Sequence, residues 1–226
     1  MIGRDPSPRI ISASDPEALA AAVTVLRARG LVALPTETVY GLACALDALA
    51  LDRLLEAKRR HRAKGITLLV DTLDQAAPFA VMPAAARALE DRFWPGPLTV
   101  VLAVRPGAGL PDAVTGGTGA VGIRVPDHPV PRGVARELGP LPTTSANLSG
   151  QPDALSAADV VAAMGGSVDL VVDGGSSPGG VPSTVVSLSG QGELRLLRPG
   201  ALPYPLVVEA VVAALGASAA RLHQAG

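Results

Sequence analysis

The sequence predicts an α/β protein in which helices flank a mixed, twisted β-sheet. Short apolar runs typical of buried strands interleave with longer segments typical of helices. Near the C-terminal end, several strand candidates follow one another without a helix, which favours a mixed sheet over a regular doubly wound one. The chain of 226 residues is 48% hydrophobic with a mean hydropathy of +0.37, so it has enough apolar surface to bury a core.

The predicted helices are recognised by their start and stop signals. Ser14 and Glu17 have the spacing of a capping box, so a helix should follow and run to about Arg29. Gly30 is expected to be the C′ residue that ends this helix. Five further helices are predicted, around Leu49–Arg59 and at Ala84–Phe93, Val130–Leu138, Ala157–Met164 and Leu206–Leu222.

The predicted strands are short apolar runs bounded by helix breakers or polar residues. Leu31–Leu34 ends at Pro35, and the WPGP sequence precedes Leu98–Val104. The other candidates are Ile66–Val70, Ala120–Val125, Leu141–Thr144, Leu170–Asp173, Thr184–Leu188 and Leu194–Leu197. Because no repeat or long polar linker divides the chain, we predict one domain over residues 1–226, with a core at about 14–202 and a C-terminal helix at about 206–222.

Composition excludes several classes of protein. A single cysteine, Cys44, excludes a disulfide framework and a cysteine-based zinc site, and it fits a reducing compartment. The N-terminal sequence MIGRDPSPR lacks the apolar region of a secretory signal. No apolar run approaches the roughly 18 residues that a membrane span needs, so we expect a cytoplasmic protein. A formal net charge of −1 argues against a surface covered by a nucleic-acid-binding field.

Two apparent motifs do not indicate a function. The sequence GTGAVG at 117–122 matches the GxGxxG pattern of dinucleotide sites, but a predicted strand follows it where a helix is required. The three histidines, His61, His128 and His223, do not have the spacing of metal ligands.

Three predicted loops collect polar groups that core packing does not require. They are Pro35–Gly41 and Thr143–Gly150, which each follow a buried strand, and Lys58–Gly65 at a helix end. Five of the 19 basic residues, including both lysines, lie in the third segment. Such groups could line a ligand pocket. They could equally be turn, helix-cap and solvated surface chemistry, and the residues alone leave both interpretations open.

Seven motifs occur in a consistent order along the chain, and the resemblance that they carry extends from about Pro16 to Gly200. They are PTETVYGLA (35–43), EAKRR (56–60), FWPGPLT (93–99), VGIRVPDHPV (121–130), TSANLSG (144–150), PSTVV (182–186) and LRPGA (197–201). Together they resemble the YrdC family of threonylcarbamoyl-AMP synthases. The family's Lys-x-Arg…Ser-x-Asn signature falls on four residues that the resemblance marks as catalytic, Lys58, Arg60, Ser145 and Asn147. The chain departs from the usual family pattern at His61, Gly65 and Pro182.

The resemblance implies a reaction and a site. L-threonine, bicarbonate or CO2, and ATP would form threonylcarbamoyl-AMP and pyrophosphate, for threonylcarbamoyladenosine in tRNA. A concave basic cleft is expected, with Arg124 as a bidentate partner for the threonine carboxylate. The implied ATP-binding residues are Lys58, Arg60, Arg62, Asn147 and Arg198. The implied threonine-binding residues are Thr36, Thr67, Arg124, Ser145 and Ser183.

The resemblance also implies a cofactor and partners. Mg²⁺ is expected with ATP, although the sequence shows no cluster of metal ligands. The product would pass to a tRNA threonylcarbamoyl transferase complex. As a phosphate clamp, Lys58 is expected to tolerate alanine with folding nearly intact and turnover lowered by about 10²-fold.

Two alternatives to this synthase remain. Carbamoyltransferases that mature hydrogenases contain a similar module, but they are longer and carry zinc-finger cysteines. The same cleft could instead bind RNA without catalysis, or contact RNA weakly. That function favours aromatic residues beside the cations, and none of the five aromatic residues lies in the basic segment.

Overall fold

A single mixed sheet organises the chain. The computed structural model describes residues 7–216 and 221–223. The strands of these residues are β1 (Arg9–Ser12), β2 (Val32–Leu34), β3 (Gly41–Ala43), β4 (Thr67–Leu69), β5 (Leu98–Ala103), β6 (Ala120–Arg124), β7 (Leu141–Ser145), β8 (Leu170–Asp173), β9 (Thr184–Leu188), β10 (Glu193–Arg198) and β11 (Arg221–His223). Their order across the sheet is β1-β8-β2-β3-β7-β4-β6-β5-β9-β10-β11.

The sheet contains both parallel and antiparallel pairs. β1 and β2 pair in parallel with β8, and the pairs β4–β6, β5–β9 and β10–β11 are also parallel. The pairs β2–β3, β3–β7, β7–β4, β6–β5 and β9–β10 are antiparallel. The prediction of a mixed α/β fold is therefore confirmed.

Helices cover both faces of the sheet. They are α1 (Ala18–Arg27), α2 (Ala48–Ala57), α3 (Ala84–Phe93), α4 (Asp112–Thr115), α5 (Pro129–Leu138), α6 (Ala157–Met164) and α7 (Tyr204–Leu215), with 3-10 turns at Leu73–Ala76 and Gly165–Ser167. Successive strand residues point to opposite faces, so Leu31 and Ala33 join one core cluster while Val32 and Leu34 join another. Helices α1 and α5 pack on the second cluster, and the larger first cluster includes residues of α2, α3, α6 and α7. Among the described residues, no helix is long and apolar enough to cross a membrane.

The prediction of a capping box at the start of α1 is wrong. Asp15 Oδ1 accepts the Glu17 N–H at 2.8 Å, while Ser14 Oγ pairs with Ser12 Oγ at 2.8 Å. The helix begins at Ala18 without a side-chain cap. An aspartate readily accepts an N–H two residues ahead, and this local turn replaces the predicted cap.

The end of α1 also differs from its prediction. Arg29, with φ +61°, takes the left-handed C′ position that was assigned to Gly30. Gly30 follows as C″, and its N–H donates to Val25 O at 2.9 Å. A Cβ at Gly30 would lie 2.5 Å from Val25 Cγ1. Glycine is therefore needed here for close packing.

The predicted C-terminal helix is too long. It spans Tyr204–Leu215, and Gly216, with φ +82°, follows its last residue. Residues 217–220 lie outside the described residues, and Arg221–His223 pairs in parallel with β10. Strands β1, β3 and β11 and helix α4 were not predicted. Each has four or fewer residues, too few to show a clear period.

Candidate functional site

A cavity of about 160 Å³ opens where the loop after β2 meets the ends of β4, β6, β7 and β9. Its lining combines hydroxyls, three arginines and one carboxylate. Seven predicted site residues line it, namely Thr36, Arg60, Thr67, Arg124, Ser145, Ser183 and Arg198. The structure therefore brings together residues that are distributed over more than 160 positions of the chain.

A second cavity of about 290 Å³ extends the first into a cleft. Arg60, Thr67 and Arg198 line both cavities. Small apolar and hydroxyl side chains complete the second one, including Val101, Val114, Thr115, Thr118 and Val185. Cations therefore stand between a polar end and a more apolar end of one cleft.

Arg124 closes the polar end. It is 7% exposed, and its Nη2 donates to Glu37 Oε1 at 2.6 Å and to Thr38 Oγ1 at 2.8 Å. Its Nε donates to Gly96 O at 3.2 Å. The ion pair with Glu37 offsets the cost of burying this charge. Arg124 faces the cleft as predicted, but its partner in the protein is a residue that was not assigned to the site.

Thr36 organises the loop after β2. Its Oγ1 donates to Val39 O at 2.7 Å and accepts N–H groups from Thr38 at 3.2 Å and Val39 at 3.3 Å. Ser177 Oγ donates to Thr36 O at 3.0 Å from a glycine-rich segment that crosses this loop. The loop is thus held in one conformation before any ligand enters.

Arg60 and Arg198 supply the positive charge at the centre of the cleft. Arg60 Nη2 donates to Gly65 O at 2.9 Å, and Arg198 Nη2 donates to Ser183 O at 2.8 Å. Burial lowers the pKa of both guanidinium groups, and the charge of Arg198 lowers the pKa of Arg60 further. Two cations held close together and partly desolvated form a strong site for an anion.

Ser183 and Thr99 link the last strands to the cleft. Ser183 Oγ and Thr99 Oγ1 lie 2.8 Å apart, and both are buried. Ser183 Oγ is also 3.2 Å from Arg198 Nη2. This places a hydroxyl pair directly beside a cation. Thr99 was not predicted as a site residue, because a threonine inside an apolar strand resembles an ordinary strand residue.

Lys58 does not line either cavity. It is 1% exposed, and its Nζ donates to the carbonyl oxygens of Ser145 and Asn147, each at 2.5 Å, and to Asn147 Oδ1 at 2.8 Å. Burial lowers the pKa of this ammonium to about 8, and the charge of Arg60 contributes. All three ammonium protons are engaged inside the protein. Lys58 therefore anchors the 145–147 loop from behind.

The turn at the end of α2 explains why the Lys58 and Arg60 side chains point in different directions. Lys58 is the C-cap residue, and Arg59 takes a left-handed conformation with φ +48°. The Arg60 N–H then donates to Leu55 O at 2.9 Å, which completes a Schellman turn. The reversal turns Lys58 towards the core and Arg60 towards the cleft.

Asn147 forms hydrogen bonds within its own loop. Its Oδ1 accepts from Ser145 Oγ at 2.6 Å, and its Nδ2 donates to Gln151 O at 2.6 Å. Asn147 is 5% exposed and lies outside the lining, whereas Ser145 is part of it. The four signature residues thus lie together, but two of them support the cleft wall from inside.

Arg62 lies away from the cleft. It is exposed, and its Nη2 forms an ion pair with Asp52 Oδ1 at 2.6 Å. Asp153 also lines the polar end, although it belongs to none of the seven motifs. In the part of the chain that the structure describes, no group of three or more His, Cys, Asp or Glu side chains is placed to hold a metal ion.

Comparison with known proteins identifies relatives. A family model, Sua5/YciO/YrdC with the description "Telomere recombination", matches residues 24–200. Threonylcarbamoyl-AMP synthase from Bacillus subtilis is 40% identical over 195 residues, which cover 85% of this chain and 56% of the relative. The protein of that name from Chromohalobacter salexigens is 41% identical over 180 residues, which cover 78% of this chain and 96% of the relative. The chain thus spans about half the length of the Bacillus relative.

Solved structures show the same fold. Pyrococcus abyssi Sua5 complexed with L-threonine superposes with a TM-score of 0.83 at 35% identity, covering 95% of this chain and 62% of Sua5. Escherichia coli YciO superposes with a TM-score of 0.73 at 24% identity, covering 85% of this chain and 94% of YciO, and it supports the fold alone.

Proposed function

The chain belongs to the Sua5/YciO/YrdC family, and we propose on this basis that it synthesises threonylcarbamoyl-AMP. The substrates would be L-threonine, bicarbonate or CO2, and ATP, and pyrophosphate would be released. The names of the relatives and the threonine complex of a related Sua5 support this proposal. The observation that carries it is the cleft in which Arg124 lies at one end and Arg60 and Arg198 lie at the centre.

The polar end of the cleft suits an amino acid. Arg124 would hold the carboxylate of threonine, while the hydroxyls of Ser145, Ser183 and Thr67 are available to its amino and hydroxyl groups. Thr36 contributes by fixing the loop. Val39 and Leu69 give this end an apolar wall against which the threonine methyl group can pack.

The centre of the cleft suits a triphosphate. Adenylyl transfer requires little covalent work from the protein, so positioning and charge stabilisation dominate. Arg60 and Arg198 would offset the charge that develops on the departing pyrophosphate. Because Arg62 forms its ion pair outside both cavities, we leave it out of the proposed nucleotide site.

Lys58 and Asn147 are proposed as positioning residues. Lys58 binds both ends of the 145–147 segment, and Asn147 Oδ1 accepts a hydrogen bond from the Ser145 hydroxyl. Together they would keep the Ser145 side chain at the cavity surface. A loop held from behind costs little reorganisation when substrates bind.

Mg²⁺ is proposed to accompany ATP. Magnesium usually binds through one or two carboxylates, with phosphates and water as its other ligands. Asp153 carries the carboxylate of the cavity lining, so the donors present fit such an ion. When bound, Mg²⁺ would neutralise part of the phosphate charge, and Asp153 would be the residue that holds it.

A transferase complex that modifies tRNA is proposed to receive the product. Direct RNA binding by the cleft is less well supported, because single-stranded RNA is typically held by stacking on exposed aromatic rings. Tyr40 is the aromatic residue of the lining, and it is fully buried. Its hydroxyl donates to Gly175 O at 2.7 Å, so it serves the fold.

Isotope incorporation tests the proposed function. The chain is incubated with ATP, Mg²⁺, threonine and ¹³C-bicarbonate, and mass spectrometry should detect threonylcarbamoyl-AMP that carries the labelled carbon. Arg124→Ala should abolish the product. Arg132→Ala is the matched control, because Arg132 pairs with Asp71 outside the cleft and its loss should leave the product unchanged. No labelled adduct from the wild-type chain would overturn the proposal.

A further inference from the structure

Glu37 holds the guanidinium of Arg124 from one side. Its Oε1 accepts from Arg124 Nη2 at 2.6 Å, with 17% of the Glu37 side chain and 9% of the Arg124 side chain exposed. Arg124 Nη2 also donates to Thr38 Oγ1 at 2.8 Å, and Nε donates to Gly96 O at 3.2 Å. Three of the five N–H donors of Arg124 are therefore engaged within the protein.

Nη1 carries the two donors that remain. Among the described residues, no hydrogen bond involves Arg124 Nη1, and Arg124 lines the cavity. A carboxylate that binds a guanidinium in a bidentate manner needs two N–H groups from one edge. Each such edge includes Nη2, whose protons already bind Glu37 and Thr38. Bidentate binding, as the resemblance implies it, would thus require Glu37 or Thr38 to give up its hydrogen bond to Nη2.

Glu37 is itself held at several points. Its Oε2 accepts the Asp127 N–H at 3.1 Å, so both carboxylate oxygens are used. Its backbone oxygen accepts the Gly179 N–H at 3.1 Å. A Cβ on Gly179 would lie 2.7 Å from that oxygen, so only glycine allows this close approach. These contacts tie Glu37 to two separate segments, at Asp127 and at Gly179, and oppose its displacement from Arg124.

We propose that Glu37 is a positioning residue that aims Arg124 Nη1 into the cavity and restricts carboxylate recognition to that nitrogen. The proposal rests on the proposed function, in which the carboxylate belongs to threonine. With Glu37 in place, Arg124 is locked in orientation and its charge is largely compensated. Threonine then meets a donor that needs no rearrangement, and affinity gains from this preorganisation.

Glu37→Gln tests the proposal, because it removes the charge and one acceptor with little change of shape. We expect calorimetry to show threonine binding weakened by about 10-fold or more, the scale of a lost charged hydrogen bond, with ATP affinity within about twofold. Asp71→Asn is the matched control. It removes a carboxylate that pairs with Arg132 and Arg136, both at 2.9 Å, away from the cleft. Its threonine affinity should stay within about twofold of the wild-type value.

Three outcomes of the binding experiment contradict the proposal. Unchanged threonine affinity in Glu37→Gln would mean that Glu37 does not position Arg124. Tighter threonine binding would mean that Glu37 competes with the substrate instead. Equal weakening of threonine and ATP binding would indicate a general structural role. If the wild-type chain bound no threonine, the proposed function would fail by itself.

A measurement without ligand distinguishes failure of the Glu37 proposal from failure of the proposed function. With both Nη2 protons held, rotation of the Arg124 guanidinium about its Nε–Cζ bond should be slow, so NMR should show separate Nη1 and Nη2 resonances. In Glu37→Gln the two signals should broaden or merge, while Asp71→Asn should leave them apart. Signals that stay separate in a folded Glu37→Gln variant would overturn the positioning role, whatever the chain binds.

Discussion

Lys58 Nζ lies 2.8 Å from Asn147 Oδ1, inside the protein and behind the wall of the cleft. The same ammonium also binds two backbone carbonyl oxygens, so it closes the 145–147 loop onto the end of α2. A lysine in this setting contributes to folding as well as to any catalysis.

The burial of Lys58 changes the expected result of its substitution. Lys58→Ala leaves two buried carbonyl oxygens without a donor and removes one of the two donors to Asn147 Oδ1, so the free energy of unfolding should fall by about 2 kcal/mol or more. The only other lysine, Lys64, is exposed and is the matched control, and Lys64→Ala should change stability by about 0.5 kcal/mol at most. Urea denaturation measures both values. A fully stable but inactive Lys58→Ala variant would support a phosphate clamp instead.

The arginines after α2 should differ in their effect on turnover. Arg60 lines both cavities, so Arg60→Ala should lower turnover by about 10²-fold, the scale of a lost transition-state charge donor. Arg59 is exposed and lines neither cavity, and Arg62 pairs with Asp52. Arg59→Ala and Arg62→Ala should therefore change turnover little. Pyrophosphate release at saturating threonine provides the comparison, and equal effects of all three substitutions would contradict the assigned site.

Serine should be a poorer substrate than threonine. The polar end of the cleft includes Val39 and Leu69, against which the extra methyl group of threonine can pack. Filling an apolar pocket with one such group contributes about 1–3 kcal/mol to discrimination. We expect kcat/KM for serine to be lower than that for threonine by about 10-fold or more. Equal kcat/KM values for the two amino acids would remove Val39 and Leu69 from the proposed threonine site.

Asp71 should make stability depend on acid pH. Although desolvation acts in the opposite direction, hydrogen bonds from Arg136 and Arg132 hold the pKa of Asp71 below its ordinary value of 3.8. A carboxyl group with a depressed pKa in the folded state stabilises the fold fully above the unfolded value and loses this contribution as pH falls through the folded value. Asp71→Asn should thus be less stable than the wild-type chain at pH 7.

The stability difference between the wild-type chain and Asp71→Asn should shrink only below about pH 3.8. Denaturation at pH 7, 5 and 3 measures it. A difference that is constant across this range would show that the ion pairs of Asp71 do not contribute through its charge.

The sequence predicts most strands because each buried run is a local pattern. Leu170–Asp173 and Thr184–Leu188 have the predicted bounds, and the remaining predicted strands differ by at most two residues at an end. The predictions that fail at the two ends of α1 concern positions for which nearby groups compete. Asp15 takes the Glu17 N–H from the predicted cap, and Arg29 occupies the left-handed position although a glycine follows it.

The sequence predicts the site less completely than the fold. Ordered motifs indicate which residues belong together, but they do not show which side chains face the cavity. Lys58 and Ser145 are 87 positions apart, as are Arg124 and Glu37, and only the three-dimensional packing reveals that each pair is in contact. Arg62 shows that closeness in sequence does not place a side chain in the cleft. Arg60 and Gly65 line both cavities, whereas Arg62 pairs with Asp52 on the surface.

Pyrophosphate release from ATP tests the central claim most directly. The wild-type chain is assayed with Mg²⁺ and ATP, with threonine and bicarbonate added singly and together. Pyrophosphate should appear at a substantial rate only when both are present, because the amine must carry its carboxyl group before AMP can be transferred to it. Release at the same rate without threonine, or no release with all substrates present, would contradict the assignment of this cleft to threonylcarbamoyl-AMP synthesis.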